Sequence, residues 1–374
     1  MSTKLRVELL LWEWWVGKRN TDYVNFKRIQ ELENSYPVSL KLSSSVLAGI
    51  MGNIEYAMDS IFYKTRILRK LLRTRFWRVF RRSVILPQAY LDSIKADVVH
   101  TNLYFPINRI KVPIVVEFDF NLHGMISEHE ELEKLLYVPR WVIERSAVVC
   151  VRHEPSLEAF KRLYPEFAHK GVVMPHYHPN LEAVDEEKIH EKFRKSENAK
   201  VKLLYVGNQA RYKGLPELVE AFKLVKEEND SLELTVVSRF QGGEVPLPPD
   251  VKTYSNLPSS EVYRLMSDSH IFALPSKREA TGNVYWEAMA SGCAIVAPDV
   301  SPQRELFGEF GLVADPTSAI DIARAIEGLL KDRTYSLKCA INARNSFLQK
   351  YHHSIVAQRY FEVYQRAVER GAPG

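Results

Sequence analysis

The chain has 374 residues, 46% of them apolar and 26% charged, which argues against wholesale disorder and suggests two domains of ordinary size. No apolar run approaches the ~20 residues that a membrane-spanning helix needs, and the opening MSTKLRVELLLWEWW, broken by Glu8 and Glu13, does not read as a signal peptide. Three cysteines, Cys150, Cys293 and Cys339, lack CxxC spacing, which argues against a disulfide framework or a zinc ribbon and fits a reducing cytoplasm.

Taken in chain order, short apolar runs alternate with helical patterns, the signature of α/β layers with parallel sheets. Strands are predicted near 4–11, 37–42, 97–102, 112–119, 147–151 and 171–174, and helices over 21–34, 46–82 with breaks, 84–95, 129–145 and 154–163. After the first strand Gly17 stands alone, so a dinucleotide-binding glycine fingerprint is absent there. From Lys64 to Arg82 the chain reads KTRILRKLLRTRFWRVFRR, with nine basic residues and no acidic one; setting these nine aside turns the net charge of +5 into −4. Three readings of this segment are open. It is the solvated basic face of a partly buried helix, or a surface that docks on anionic lipid through its basic stems with Trp77 and Phe80 in the headgroup region, or a nucleic-acid patch. No helix-turn-helix, zinc-finger or RNP-type motif accompanies it, so no nucleic acid is expected, and an anionic membrane surface is carried forward as a partner.

Residues 175–200 open with two prolines and turn polar, which predicts an interdomain crossing with one short surface helix. The second half then repeats the same grammar. Strands are predicted at 201–207, 232–238, 270–276 and 293–299, helices at 216–228, 259–269 and 282–292, a helical tail from about Ser318, and a last amphipathic helix near 353–369.

Two stretches of this half carry chemistry. In YVGNQARYKG (205–214) an apolar strand ends at Gly207, a polar loop follows with Arg211 and Lys213, and Gly214 precedes a helix. Ligands of open α/β sheets bind beyond the carboxyl ends of strands, where a glycine admits a phosphate and nearby cations neutralise it. An ordinary βα turn with solvent-facing basic residues is the competing reading. In ALPSKREATGNVYWEAMASGCAIVAPD (273–299), Gly282, Asn283 and Val284 stand at a predicted helix start, whose free N–H groups suit an anion. Glu279 lies in the loop before that start, and Glu287 follows eight positions later in the helix.

The second stretch resembles the Glu-x7-Glu signature of glycosyltransferase family 4, retaining enzymes of the GT-B fold, and YVGNQARYKG resembles that family's phosphate loop. SSEVYRLMSDSHIFALPS, RELFGEFGLVADPTSAIDIARAIEGLL and VVMPHYHPN resemble its flanking segments, so the likeness covers about 200–350 well. In the first half it rests mostly on SIKADVVHTN and the strand after it. The resemblance implies an α/β fold of two Rossmann-like domains facing a cleft. The expected divisions are an acceptor-side domain over 1–178, a nucleotide-sugar domain over 179–350, and a helix over 351–374 that crosses back.

The resemblance also implies roles. Lys213, with Arg211, would bind the donor diphosphate near Gly207 and Asn208. Glu287 would accept from the ribose hydroxyls and Glu279 from those of the sugar, while Gly282, Asn283 and Val284 would offer N–H groups. Near the reacting carbon, where the family commonly has a His, VPIVVEFDFNLHG offers His123 and also Asp119. Asn208 stands where the family often has Arg, Thr281 where it usually has Phe, and His176-Tyr177 where Asn-Gly is usual. Glu117 and Asp119 could be read as a carboxylate pair, and His176 and His178 have ligand spacing with no third ligand visible. The resemblance nevertheless implies metal-independent chemistry, so no metal and no cofactor are expected. The expected function is transfer of a sugar from a nucleoside diphosphate donor, UDP- or GDP-linked, to a hydroxyl of a glycan or lipid-linked acceptor, by a cytoplasmic protein at the membrane's inner face. A nucleotide-sugar epimerase and a non-catalytic nucleotide-sugar-binding protein on the same fold remain as alternatives.

Overall fold

The computed structural model describes residues 4–10, 32–43, 83–84, 94–102, 105–106, 110–118, 140–175, 181–195, 200–239, 245–277, 279 and 282–372. The chain divides into two compact units, the first built from its N-terminal part together with His353–Gly374, the second from Asn180–His352. The segment from Lys64 to Arg82, with His123, Asp119, His176, His178 and Thr281, lies outside the described residues.

In the first unit the strands are β1 (Leu5–Leu10), β2 (Val38–Ser43), β4 (Val98–Asn102), β6 (Ile114–Phe118), β7 (Val148–Val151) and β8 (Gly171–Val173). They form one parallel sheet in the order β2-β1-β4-β6-β7-β8. IVVEF and VVCV are buried along their whole length, as strands covered on both faces require. Two further short strands, β3 (Ser83–Val84) and β5 (Phe105–Pro106), pair with each other, so Val84 is extended where a helix over 84–95 is predicted.

The last helix (His353–Arg370) packs on this sheet. Val356, Ala357, Tyr360, Val363, Tyr364 and Ala367 recur at helical spacing and join Val7, Val98, Val115 and Val148 in one core. A buried polar group lies on the same side. Glu117 on β6 ion-pairs with Arg152, which follows β7. Tyr360 Oη donates to Glu117 Oε1 at 3.0 Å, His100 Nε2 lies 3.3 Å from Glu117 Oε2, and His100 Nδ1 meets the Tyr364 hydroxyl at 2.9 Å. Burial opposes ionisation of Glu117, but the Arg152 guanidinium, with His100 and Tyr360, outweighs it and holds the carboxyl at about 2.

The second unit contains β9 (Val201–Val206), β10 (Leu232–Val237), β11 (Lys252–Tyr254), β12 (Ile271–Ala273), β13 (Ala294–Pro298) and β14 (Gly311–Ala314), all parallel, in the order β11-β10-β9-β12-β13-β14. The chain moves outward from β9 through β10 to β11, then returns to start again at β12 on the other side. That reversal puts a topological switch point between β9 and β12, where a ligand crevice forms beyond the strand ends. Helix Leu215–Glu228 turns Leu215, Leu218, Val219, Phe222 and Val225 into the core. The Ser318 and Asp332 side chains cap the helices Ala319–Lys331 and Arg333–Lys350. The strands β11 and β14 and the short helix Gln303–Phe307 add to the elements predicted from sequence. Among the described residues, no helix is long and apolar enough to cross a membrane.

Candidate active site

Two loops meet at the switch point. The first leaves β9 at Val206 and reaches helix Leu215–Glu228 through Gly214, whose φ of 71° is left-handed. A Cβ at Gly214 would lie 1.9 Å from the Pro275 carbonyl oxygen, so only glycine lets this loop lie against the loop after β12. The contact is reinforced where Lys277 N donates to Tyr212 O at 3.0 Å and Lys277 Nζ to Glu217 Oε1 at 2.6 Å. Pressed together in this way, the two loops bring Lys213 onto Glu279, and the side chains form an ion pair, 21% and 10% exposed.

The second loop ends at Gly282, with φ 72°, which begins helix Asn283–Ala290 without a side-chain cap. A Cβ there would lie 2.8 Å from the Tyr285 ring and 3.2 Å from Glu279 Cγ, so glycine is again what the turn requires. The uncapped start supplies backbone donors and the positive end of the helix dipole.

These parts line a cavity of about 470 Å³ with Gly207, Asn208, Gln209, Lys213, Ser238, Arg239, Asn256, Leu257, Glu279, Gly282, Asn283 and Val284. Asn208 Oδ1 accepts from Arg239 N at 2.9 Å, tying the loop after β9 to the end of β10. Gln209 and Asn256 hold positive φ values of 58° and 56° without being glycine, and strained backbone of this kind clusters at functional sites. Behind Gly207, the Tyr205 hydroxyl is buried with no hydrogen-bond partner among the described residues. Burial first, then the charge of Glu279, pushes its pKa up, so it remains a proton donor.

Of the residues singled out from sequence, Gly207, Asn208, Lys213, Glu279, Gly282, Asn283 and Val284 come together in this cavity. Glu287 sits half-buried further along helix Asn283–Ala290, outside the lining. Arg211 is exposed on the first loop and also outside the lining. His123 lies among the residues not described. Sequence reasoning missed Gln209, Ser238, Arg239, Asn256 and Leu257. The last two follow the exposed strand β11, which has no apolar alternation to reveal it. Ser238 and Arg239 follow β10, a predicted strand, and the rule that ligands bind beyond strand ends could have found them.

Residues 185–346 match the family described as Glycosyl transferases group 1. The capsular polysaccharide biosynthesis glycosyltransferase CapM of Staphylococcus aureus is 24% identical over 190 residues, which is 48% of this chain and 50% of that protein. The N,N'-diacetylbacillosaminyl-diphospho-undecaprenol alpha-1,3-N-acetylgalactosaminyltransferase of Campylobacter jejuni is 36% identical over 112 residues, 29% of this chain and 30% of that one. The chain thus spans half or less of the length of these relatives. In fold, it is similar to HepE of Anabaena, solved in complex with UDP and glucose, with a TM-score of 0.60 at 16% identity over 96% of this chain and 99% of that one. Sucrose-phosphate synthase of Thermosynechococcus elongatus gives a TM-score of 0.62 at 17% identity over 97% and 98%. Two parallel α/β units in succession are the GT-B architecture that the sequence leads one to expect. Residues 185–346 therefore resemble the glycosyl transferases group 1 family, and the curated relatives support a glycosyltransferase family for this part of the chain.

Proposed function

We propose that the protein transfers a glycosyl unit from a nucleoside diphosphate sugar to a hydroxyl of a glycan or lipid-linked acceptor, with retention and without a metal. The observation that carries this reading is the convergence of Lys213, Glu279 and the uncapped helix start at Gly282 in one cavity at the switch point. The leaving diphosphate gains negative charge in the transition state. The Lys213 ammonium and the N–H groups of Asn283 and Val284 stabilise that charge. Glu279 accepts hydrogen bonds from the sugar hydroxyls and fixes the ring. The family resemblance further implies roles for Glu287 at the ribose hydroxyls, Arg211 at the diphosphate and His123 near the reacting carbon. Glu279 is the one carboxylate among the described lining residues, a poor donor set for a divalent cation, which favours protein cations at the diphosphate.

A UDP or GDP donor is favoured by the fold similarity to HepE, which was solved with UDP and glucose. The lipid-linked acceptor is favoured by the name of the Campylobacter relative, a diphospho-undecaprenol sugar transferase, and by the basic segment from Lys64 to Arg82.

The test is a thermal-shift screen against UDP-, GDP- and ADP-sugars, followed by a transfer assay with the sugar nucleotide that binds. A ligand at 100 times its dissociation constant stabilises by about 2.7 kcal/mol. No stabilisation by any sugar nucleotide defeats the reading. Activity should survive EDTA, and a loss restored by magnesium or manganese would defeat metal independence. Flotation with anionic vesicles at low salt should carry the protein upward, and its absence would remove the membrane partner.

A further inference from the structure

We infer that Arg239, at the end of β10, supplies the second cation to the donor diphosphate, in place of Arg211. The inference rests on the glycosyl-transfer reading of this cavity and adds to it a residue that lies in neither of the two stretches singled out from sequence. Lys213, Arg239 and Glu279 are the charged side chains among the described lining residues. Lys213 and Glu279 form an ion pair whose charges sum to zero, so the excess positive charge of the described lining sits on Arg239. A nucleoside diphosphate carries more than one negative charge, and one lysine shared with a carboxylate does not balance it.

Arg239 has a fixed root and an uncommitted head. Gly207 N donates to Val237 O at 3.0 Å, Ser238 N donates to Tyr254 O at 3.0 Å, and Arg239 N donates to Asn208 Oδ1 at 2.9 Å. The end of β10 is thus laced to the loop after β9 on one side and to β11 on the other, and the backbone of Arg239 is held in the cavity wall. Its side chain is exposed, and its guanidinium forms no ion pair among the described residues. A planar guanidinium in that position can offer two N–H groups to two phosphate oxygens at once. Arg211 has the opposite placement, exposed on the loop after β9 and outside the lining. Asn208 links these observations. The family resemblance leads one to expect an arginine at 208, but the side chain there is neutral and is engaged by the main chain of residue 239. The charge absent from the loop after β9 is supplied from the neighbouring strand end, and Asn208 holds the residue that supplies it.

The experiment measures the dissociation constants of UDP, GDP and ADP by calorimetry over a range of salt. It uses the full chain and its Arg239→Gln, Arg211→Gln and Lys213→Met variants. The bond to Asn208 comes from the main-chain N–H, so Arg239→Gln keeps it and should melt with the parent. Arg239→Gln should bind the preferred nucleoside diphosphate about tenfold more weakly, the loss expected for one charge-assisted contact. That loss should exceed the loss in Arg211→Gln. The affinity of Arg239→Gln should also fall less steeply with salt than the parent's, because one cation fewer meets the phosphates. Binding by Arg239→Gln within twofold of the parent, an equal salt dependence, or a larger loss in Arg211→Gln overturns the assignment. If Lys213→Met is impaired in that case, the diphosphate site itself stands. No binding of any of the three nucleotides by the parent removes the glycosyl-transfer reading and the assignment with it.

Discussion

Each unit contains a carboxylate paired with a cation near the carboxyl ends of its strands, and the two pairs do opposite work. In the first unit, Glu117 and Arg152 are 3% and 4% exposed, and the Tyr360 hydroxyl closes on the carboxylate from the last helix. In the second, Glu279 and Lys213 stand in the wall of a cavity, and the lysine keeps 21% of its side-chain surface open. A sealed pair cannot exchange partners with a ligand, so its value lies in holding the helix His353–Arg370 on the sheet. An accessible pair can exchange, and its value lies in what replaces it. Enclosure, more than residue type, separates the structural pair from the functional one.

The largest expected effect comes from breaking the sealed pair. Glu117→Gln breaks the buried ion pair with Arg152, a loss of about 3–5 kcal/mol, seen as a strongly lowered urea midpoint. A midpoint within error of the parent would show that the pair does not hold the helix. The parent carries a related acid signature. Glu117 is held at about 2, below its ordinary value of 4.5, so it contributes stability that is present above pH 4.5. That contribution, about 3 kcal/mol, is lost progressively as pH falls from 4.5 through 2. Acid unfolding of Glu117→Gln should lack this component, and curves of identical slope would count against the assignment.

Breaking the accessible pair should spare the fold and harm the chemistry. Lys213→Ala leaves Glu279 facing a cavity that admits water, so its melting temperature should fall less than that of Glu117→Gln. Transfer should drop about 30-fold, since a charge-assisted bond of about 2 kcal/mol to the leaving diphosphate is lost. Unchanged turnover removes Lys213 from the mechanism, and a melting loss as large as that of Glu117→Gln erases the distinction between the two pairs.

The parts of this comparison that sequence made legible are those written locally. The run VKLLYV ending at Gly207 announces β9, and Gly282 before NVYWEAMA announces the helix start. The Lys213–Glu279 contact was less legible, because it spans 66 positions and depends on Gly214 lying against Pro275. A shared ligand could be read for the two residues from the family resemblance, but not their pairing with each other. Glu117 looked like half of a carboxylate pair with Asp119. Its actual partners, Arg152 and Tyr360, lie 35 and 243 positions away and reach it only through sheet order and the docking of the last helix. The edge strand β11 was illegible because all three of its residues are exposed and β10 alone sets its register, Thr235 opposite Lys252. Without β11, the cavity wall at Asn256 and Leu257 had nothing to place it.

The smallest effect tests whether that missed wall matters. Asn208 stands where the family resemblance leads one to expect an arginine aimed at phosphate, yet its Oδ1 accepts from Arg239 N at 2.9 Å. The side chain therefore spans two loops, joining the end of β9 to the end of β10. Because the bond is exposed, its net worth is at the low end for a neutral hydrogen bond, about 0.5 kcal/mol. Asn208→Ala should leave melting nearly unchanged and weaken donor binding about two- to three-fold, as the β10 side of the cavity loses its tether. Asn208→Asp keeps the acceptor and should keep the tether, but it adds a negative charge beside the diphosphate, so it should weaken the donor more than alanine does. If alanine and aspartate weaken the donor equally, the added charge costs no more than the lost tether, and the diphosphate does not lie close beside position 208. If aspartate binds as well as the parent, the diphosphate lies elsewhere in the cavity and the placement beside Gly207 has to be withdrawn.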